Sequence, residues 1–266
     1  MKIGIISRID LEKALDLTKE TLEHFADEEV LLSPKVAEKL GEKGTPIEKM
    51  DAEALITVGG DGTVLYTVQK APNTPILGIN MGGRGFLADV NPEEASEALN
   101  NLKKGELETL ERERLKVEIS GNHIAECLNE GVIRSKEPSR NLFFRILLNG
   151  EEVEKNRGDG VLISTPTGST AYAMSAGGPI IDPRLEAFVA VPLSTHRPRA
   201  LPLVFPMSSK LEVELLEYDR KADVTADGQV SKEAEKGDVI SFEKSENSAK
   251  FYKWKGKFYE KMREKL

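Results

Sequence analysis

Ala54-Leu55-Ile56-Thr57-Val58-Gly59-Gly60-Asp61-Gly62-Thr63 is the stretch on which the fold turns. Ala54 to Val58 is a short apolar run ending in glycines, which reads as a buried strand, and Val64 to Lys70 reads as the helix that follows. Three glycines in four positions let the backbone approach a ligand closely and present its N–H groups. A helix opening there adds its positive end, which suits a phosphate. Asp61 is out of place in a loop that only binds phosphate, because like charges repel. It fits if it takes a proton from a nucleophile or holds Mg2+ beside the phosphates. On this stretch alone, a tight turn with Asp61 as helix N-cap explains it equally well.

Outward from this unit the chain alternates. Residues 3–6, 29–32 and 75–79 are strand-like, and 10–25 carry Leu11, Leu15, Leu22 and Phe25 at helical spacing. Pro34 opens another helix at its first turn, and 92–103 forms one after Asn91-Pro92. Such alternation predicts a parallel sheet covered on both faces, a doubly wound α/β domain over residues 1–100. After about residue 105 the pattern changes. Leu115-Lys116-Val117-Glu118-Ile119 alternates strictly, and 142–148, 211–216 and 222–226 do so more loosely. Gly121-Asn122 and Asn149-Gly150 are turn signals. This predicts a β-sandwich-like domain over 101–245. Residues 250–266 hold seven Lys or Arg against two Glu, with Tyr252, Trp254 and Tyr259. They read either as a basic surface for a phosphate-rich ligand or as a segment whose aromatics dock while its lysines face water. Charge runs are usually solvated faces, which favours the second.

Composition narrows the function classes. The 266 residues are 39% hydrophobic and 31% charged, as in a soluble globular protein of one or two domains. A net charge of −8 makes the chain a poor coat for nucleic acid. Cys127 is the single cysteine, which excludes an intrachain disulfide and fits a reducing compartment. No apolar stretch approaches the ~18 residues of a membrane span. The apolar core of Met1 to Ser7 is too short for a signal peptide. The expectation is a cytoplasmic protein with neither nucleic-acid nor membrane partners. His24, His123 and His196 lie far apart and offer no zinc spacing.

Gly83-x-Gly85-x-x-Ala88 mimics a dinucleotide fingerprint, but Asn91-Pro92 arrives too soon for the required helix, so Asn80 to Leu87 reads as a second glycine-rich loop. The sequence contains no G-x-x-x-x-G-K-[ST] and no G-x-S-x-G, so it carries neither a P-loop nor the usual nucleophile elbow. The richest stretch is 157–181. There an apolar strand ends in Ser164-Thr165, and Thr167-Gly168-Ser169-Thr170 opens a short helix. Hydroxyls and free N–H groups at a helix start bind polar ligands. Tyr172 offers a ring for a base. Helix capping alone explains one Ser or Thr, not six in the twelve positions 164–175. Upstream, Asn129-Glu130 ends another apolar run. An amide beside a carboxylate can pair with ribose hydroxyls or an adenine edge.

Together these blocks resemble the NAD kinase family. Gly59 to Thr63 is similar to its GGDGT loop, Ile79 to Leu87 to its second glycine loop, and Asn129-Glu130 to its NE/D pair. Gly160 to Ile181 resembles its longest signature, and Leu201-Pro202-Leu203-Val204 and Asp227-Gly228-Gln229 resemble later landmarks. The likeness spans about residues 54 to 230. It implies an α/β domain, then a β-rich domain, with tail 246–266 packing back on the first. It implies phosphate transfer from ATP or polyphosphate to the 2′-hydroxyl of the adenosine ribose of NAD, with Mg2+ and with Asp61 as general base. Its dinucleotide contacts fall on Asp61, Gly62, Asn129, Glu130, Asp159, Thr170, Ala171, Tyr172 and Ser175, and extend to Arg140, Arg157 and Gln229. Acidic Glu130 and Asp159 at the ribose would disfavour a ligand already carrying a 2′-phosphate. Arg84 departs from the pattern, standing where the second loop usually has an apolar residue. The family habit implies a homodimer or homotetramer, for which an edge strand of the β domain is a ready interface. A GGDGT-type kinase of a lipid or sugar and a non-catalytic NAD(P)-binding regulator are the alternatives.

Overall fold

The computed structural model describes every residue except 84, 138, 197–199, 218, 219, 257 and 266, and the side chain of 265. Arg84 therefore lies outside the described residues. The chain divides into two compact units, Met1–Glu111 with Ser248–Leu266, and Arg112–Asn247. Residue 100, the boundary expected from sequence, falls inside a helix.

The first unit runs β1 (Lys2–Ser7), α1 (Glu12–His24), β2 (Glu29–Leu32), α2 (Pro34–Leu40), β3 (Ala54–Gly59), α3 (Asp61–Lys70), β4 (Ile76–Asn80), α4 (Ala95–Lys103) and β5 (Thr109–Arg112). The second runs β6 (Leu115–Ile119), β7 (Asn122–Cys127), β8 (Glu130–Ser135), β9 (Leu142–Leu148), β10 (Glu151–Gly158), β11 (Gly160–Ser164), α5 (Tyr172–Ser175), β12 (Ala187–Leu193), β13 (Leu203–Pro206), β14 (Leu211–Leu215), β15 (Ala222–Ala226), β16 (Val230–Ala234) and β17 (Val239–Lys244). The chain then returns to the first unit with β18 (Ala249–Tyr252) and α6 (Phe258–Lys265).

The sheet of the first unit has the order β2-β1-β3-β4-β18-β5, with β1 to β4 and β18 paired in parallel. Every residue of β3 and β4 is buried, as expected of parallel strands with helices on both faces. Ile5, Ile56, Val58, Leu77 and Ile79 pack with Leu17 of α1 and with Ala98, Leu99 and Leu102 of α4. Trp254, just after β18, is buried in the same core. Lys253, Lys255 and Lys261 are ion-paired with Glu108, Glu97 and Asp89. The basic tail is thus a docked segment in which Trp254 is buried and three of its seven cations are ion-paired.

The second unit is a sandwich of two antiparallel sheets, β10-β9-β14-β17-β6-β7 and β13-β12-β11-β8-β15-β16. Phe144, Ile146, Val213 and Phe242 of one meet Ile133, Val161, Ile163 and Val224 of the other. Gly131 is required there, since a Cβ would stand 2.4 Å from the Phe242 ring. Strands with one buried face, such as β6 and β14, alternate strictly. In β11 every residue is buried. Its other face lies under a second cluster, in which Leu162, Val189 and Val191 pack with Ala173 and Ile181. That layer is the 164–181 segment, which is why the richest motif rests on a sheet.

Candidate active site

The glycine loop of the first unit is placed by strand pairing. Gly59 at the end of β3 lies opposite Asn80 at the end of β4, and the Met81 N–H donates to the Gly59 carbonyl at 2.8 Å. Parallel neighbours deliver both following loops to the same sheet edge. The backbone N–H groups of Phe86, Leu87 and Ala88 accordingly donate to the Asp61 carboxylate at 2.7, 3.0 and 3.1 Å. A Cβ on Gly85 would stand 2.3 Å from Asp61 Oδ1, so the approach needs glycine there. The helix starts at Asp61 rather than Val64, and its N-cap is Gly60, with no side-chain cap. The N-cap explanation of Asp61 is therefore corrected: its side chain binds another loop. A carboxylate has about four lone-pair positions. Three are used here, which fixes the group and leaves about one for an incoming hydroxyl. Gly62 is exposed in the same turn.

The second unit repeats this device. Asp227, Gly228 and Gln229 form the three-residue β15–β16 turn, in which Asp227 and Gly228 are left-handed, with φ of 48° and 63°. Asp227 is 6% exposed, and its carboxylate accepts the N–H groups of Leu128, Asn129 and Glu130 at 2.7, 2.8 and 3.1 Å. Sequence reasoning placed Gln229 in the site and missed Asp227, because Asp-Gly between alternating runs signals only a hairpin. Gln229 itself is exposed and closes the turn through its N–H to Ala226.

Asn129 is 6% exposed, and its Oδ1 and Glu130 Oε2 are buried without a partner among the described residues. Burial, with Asp227 beside it, pushes the Glu130 carboxyl up to about 8. It is mostly protonated at pH 7, so it repels a 2′-phosphate less there than its sequence suggests. The 3-10 turn Thr167–Thr170 packs directly on this pair. A Cβ at Gly168 would stand 2.2 Å from the Asn129 carbonyl oxygen.

The hydroxyl-rich motif divides in two. Thr165 Oγ1 donates to Leu128 O, Ser164 Oγ to Asn129 O and Ser169 Oγ to Pro166 O, while the Ile181 N–H donates back to Ser169. All three hydroxyl residues are buried. They staple the motif to the sheet instead of facing a ligand, which corrects the reading of this hydroxyl cluster as a binding surface. Thr170 is also buried, with a long bond to Thr167 O, and Ala171 closes the turn through its N–H to Gly168 O. Asp159, Tyr172 and Ser175 do come together, lining a cavity of about 330 Å3 with Arg134, Leu193 and Ser194. Asn141 Nδ2 donates to Asp159 Oδ1 at 3.2 Å. Sequence reasoning missed Arg134 and Ser194, which sit in strand-like surroundings without motif character. Arg140 and Arg157 do not line this cavity. Arg140 is paired with Glu137. Arg157 is paired with Glu217 and lies 5.3 Å from the Phe143 ring centroid.

Unit by unit, this is a small-molecule kinase: a glycine-loop α/β unit suited to phosphate chemistry, and an antiparallel unit with a polar cavity suited to a dinucleotide. Known proteins agree. Residues 3–107 match the ATP-NAD kinase N-terminal domain and residues 128–254 the ATP-NAD kinase C-terminal domain. The NAD kinase of Methanosarcina mazei is 41% identical over 271 residues, covering 100% of this chain and 93% of that protein. The crystal structure of an NAD kinase from Archaeoglobus fulgidus in complex with ATP matches with a TM-score of 0.82 at 31% identity, covering 100% of both chains. Yeast NADH kinase, crystallised with NADH, shares the fold with a TM-score of 0.91 at 22% identity, over 99% of this chain and 86% of that one. The chain belongs to the NAD kinase family.

Proposed function

We propose that the chain transfers the terminal phosphate of a donor to the 2′-hydroxyl of the adenosine ribose of NAD, giving NADP. The hydroxyl oxygen bonds to the phosphorus, the bond to the donor's leaving phosphate breaks, and Asp61 takes the hydroxyl proton. A positioned general base contributes on the order of 10²–10⁴ in rate. The observation that carries the dinucleotide assignment is the pair of buried, unpartnered atoms Asn129 Oδ1 and Glu130 Oε2. Buried polar atoms are costly without a partner, and an adenosine ribose supplies both a donor and an acceptor. In this reading Tyr172 stacks on a ring, and Asp159 and Ser175 bind polar groups in the cavity. Gly62, Thr170, Ala171 and Gln229 present backbone or side chain to the dinucleotide, while Arg140 and Arg157 exchange their carboxylate partners for its phosphates.

ATP or polyphosphate is the donor. Among the described residues, no group of three or more His, Cys, Asp or Glu could hold a metal ion. In our reading the cation arrives on the donor's phosphates, as part of that substrate. The protein is proposed to be cytoplasmic: Cys127 is a buried free thiol, and no helix among the described residues is long and apolar enough to cross a membrane. A homodimer or homotetramer is proposed. Its support is β13, an edge strand among the described residues, where Val204 and nearby Leu201 are more than half exposed. The decisive assay supplies the purified chain with NAD, ATP or polyphosphate, and Mg2+. NADP is the expected product. NAD binding without NADP from any donor would make the chain a binding protein.

A further inference from the structure

The segment that holds Asp61 is itself held. Phe86, Leu87 and Ala88 give their N–H groups to the Asp61 carboxylate. Ala88 is seated on β4, where a Cβ at Gly78 would stand 2.9 Å from its Cα. Two residues on, the Val90 N–H donates to Gly78 O at 3.0 Å, and the Asn80 N–H donates to Val90 O at 2.8 Å. Strand β4 therefore fixes the backbone at residues 88 and 90. Between them stands Asp89, whose carboxylate pairs with the Lys261 ammonium of α6 at 2.5 Å.

Lys261 reaches this point because the tail is mounted on the same strand. β18 pairs with β4 in parallel, with Phe251 opposite Ile76, and Trp254 is buried in the core of the unit. The chain then turns at Gly256, whose φ of 94° suits glycine, and α6 brings Lys261 to Asp89. The three tail lysines with ion pairs are not equivalent. The side chains of Lys253 and Lys255, and of their partners Glu108 and Glu97, are more than half exposed. Those of Lys261 and Asp89 are 17% and 18% exposed. Exposed pairs contribute little, because water and salt screen them and long side chains lose freedom in forming them. A shielded pair is screened far less. Removing one member leaves the other poorly solvated, and the segment that carries it must move to reach water.

We propose that Lys261 is a positioning residue for the general base. Through Asp89 it holds residues 86–88, whose amides in turn hold the Asp61 carboxylate in line with an incoming hydroxyl. Helix α6 then does more than cover the unit: it takes part in the geometry of the proton transfer without touching the substrate. A shift of about 1 Å in a catalytic group costs up to ~10² in rate, so the link is measurable. It rests on the phosphotransfer reading above.

The test compares the full-length chain with Lys261→Met, Asp89→Asn and the two combined, with Lys253→Met as the control for an exposed tail pair. In each single variant kcat for NADP synthesis should fall about tenfold, with the KM for NAD within about twofold. The double variant should be no slower than the singles, because all three remove one and the same contact. Lys253→Met should keep kcat within about twofold. Amide hydrogen exchange without substrates should quicken at residues 86–88 in Lys261→Met and stay the same in β3. Unchanged kcat in both single variants would overturn the inference, while wild-type NADP synthesis kept the function intact. So would an equal loss in Lys253→Met, which would point to tail docking in general, or losses that multiply in the double variant. Should Lys261→Met not fold, Asp89→Asn carries the test, since it removes the charge and keeps the shape. If the wild type made no NADP, the function would fall. Faster exchange at 86–88 in Lys261→Met would then keep the positioning link, and unchanged exchange would end it.

Discussion

Asp61 and Asp227 make the same three contacts in different settings. Each carboxylate accepts three successive backbone N–H groups, from residues 86–88 in one unit and 128–130 in the other. Asp61 is half-buried in the first turn of a helix, beside exposed Gly62. Asp227 is sealed in a hairpin turn, next to Glu130 with its orphaned oxygen. The difference lies in what surrounds the carboxylate. At the sheet edge, three amides fix a carboxylate that solvent and substrate still reach. In the sandwich they bury one, which then shapes the residues it holds and raises the proton affinity of its neighbour. The first is a candidate catalytic group, the second a positioning residue.

The largest expected effect would separate the two most sharply. Asp61→Asn should lower kcat by about 10²–10⁴-fold, with the KM for NAD within a few-fold. Retained turnover would end the base assignment. Asp227→Asn should act first on structure and binding. It turns one acceptor toward the Leu128 N–H into a donor, and a buried charge-assisted hydrogen bond is worth about 2 kcal/mol. The melting midpoint should fall by roughly 5 °C, and the KM for NAD should rise about tenfold. If instead it lowered kcat with normal binding and melting, the distinction between the two aspartates would be wrong.

Gly85→Ala comes next. The added methyl overlaps Asp61 Oδ1, so the carboxylate must leave its amides. Turnover should drop by about tenfold while calorimetric NAD affinity stays the same, since only the geometry of the base is disturbed.

Glu130→Gln is the mildest. The folded carboxyl, near 8, lies above its unfolded value of 4.5, so between those values the folded state binds more protons. Stability is therefore complete below about pH 4.5 and falls as pH rises toward 8. The glutamine variant should flatten that slope, gaining stability relative to wild type at pH 8 but not at pH 5, as read by denaturant titration. Since Gln mimics a neutral carboxyl, NAD affinity should change by less than about threefold at pH 6 and diverge only at higher pH. A Glu130 ionised at every pH would make the loss of NAD affinity independent of pH. The burial of Glu130 confines that effect to conditions in which it ionises.

Much of the fold was legible because local pattern and long-range burial agree. The alternation of Leu115 to Ile119 reports a strand with one buried face, and the continuous apolar run of β3 one with two. Helix α3 starts three residues before its apolar pattern does, at Asp61, because a first helical turn makes few internal bonds and tolerates Asp, Gly and Thr. Composition does not distinguish a hydroxyl that lines a cavity, as Ser175 does, from one that staples a turn to a sheet, as Ser164, Thr165 and Ser169 do. Arg140 and Arg157 are basic residues with nearby carboxylate partners, and which partner each takes is not a local property.

By itself, the order of residues determined two domains of different class, a glycine loop carrying an acid, and membership of a kinase family. Each of these depends on neighbours a few positions apart. Only the tertiary structure decided which amides hold Asp61, that Asp227 holds Asn129 and Glu130, and that Glu130 is mostly neutral at pH 7. These rest on distances between segments 25 to 99 residues apart and on exclusion of water by packed sheets, and no local pattern encodes either.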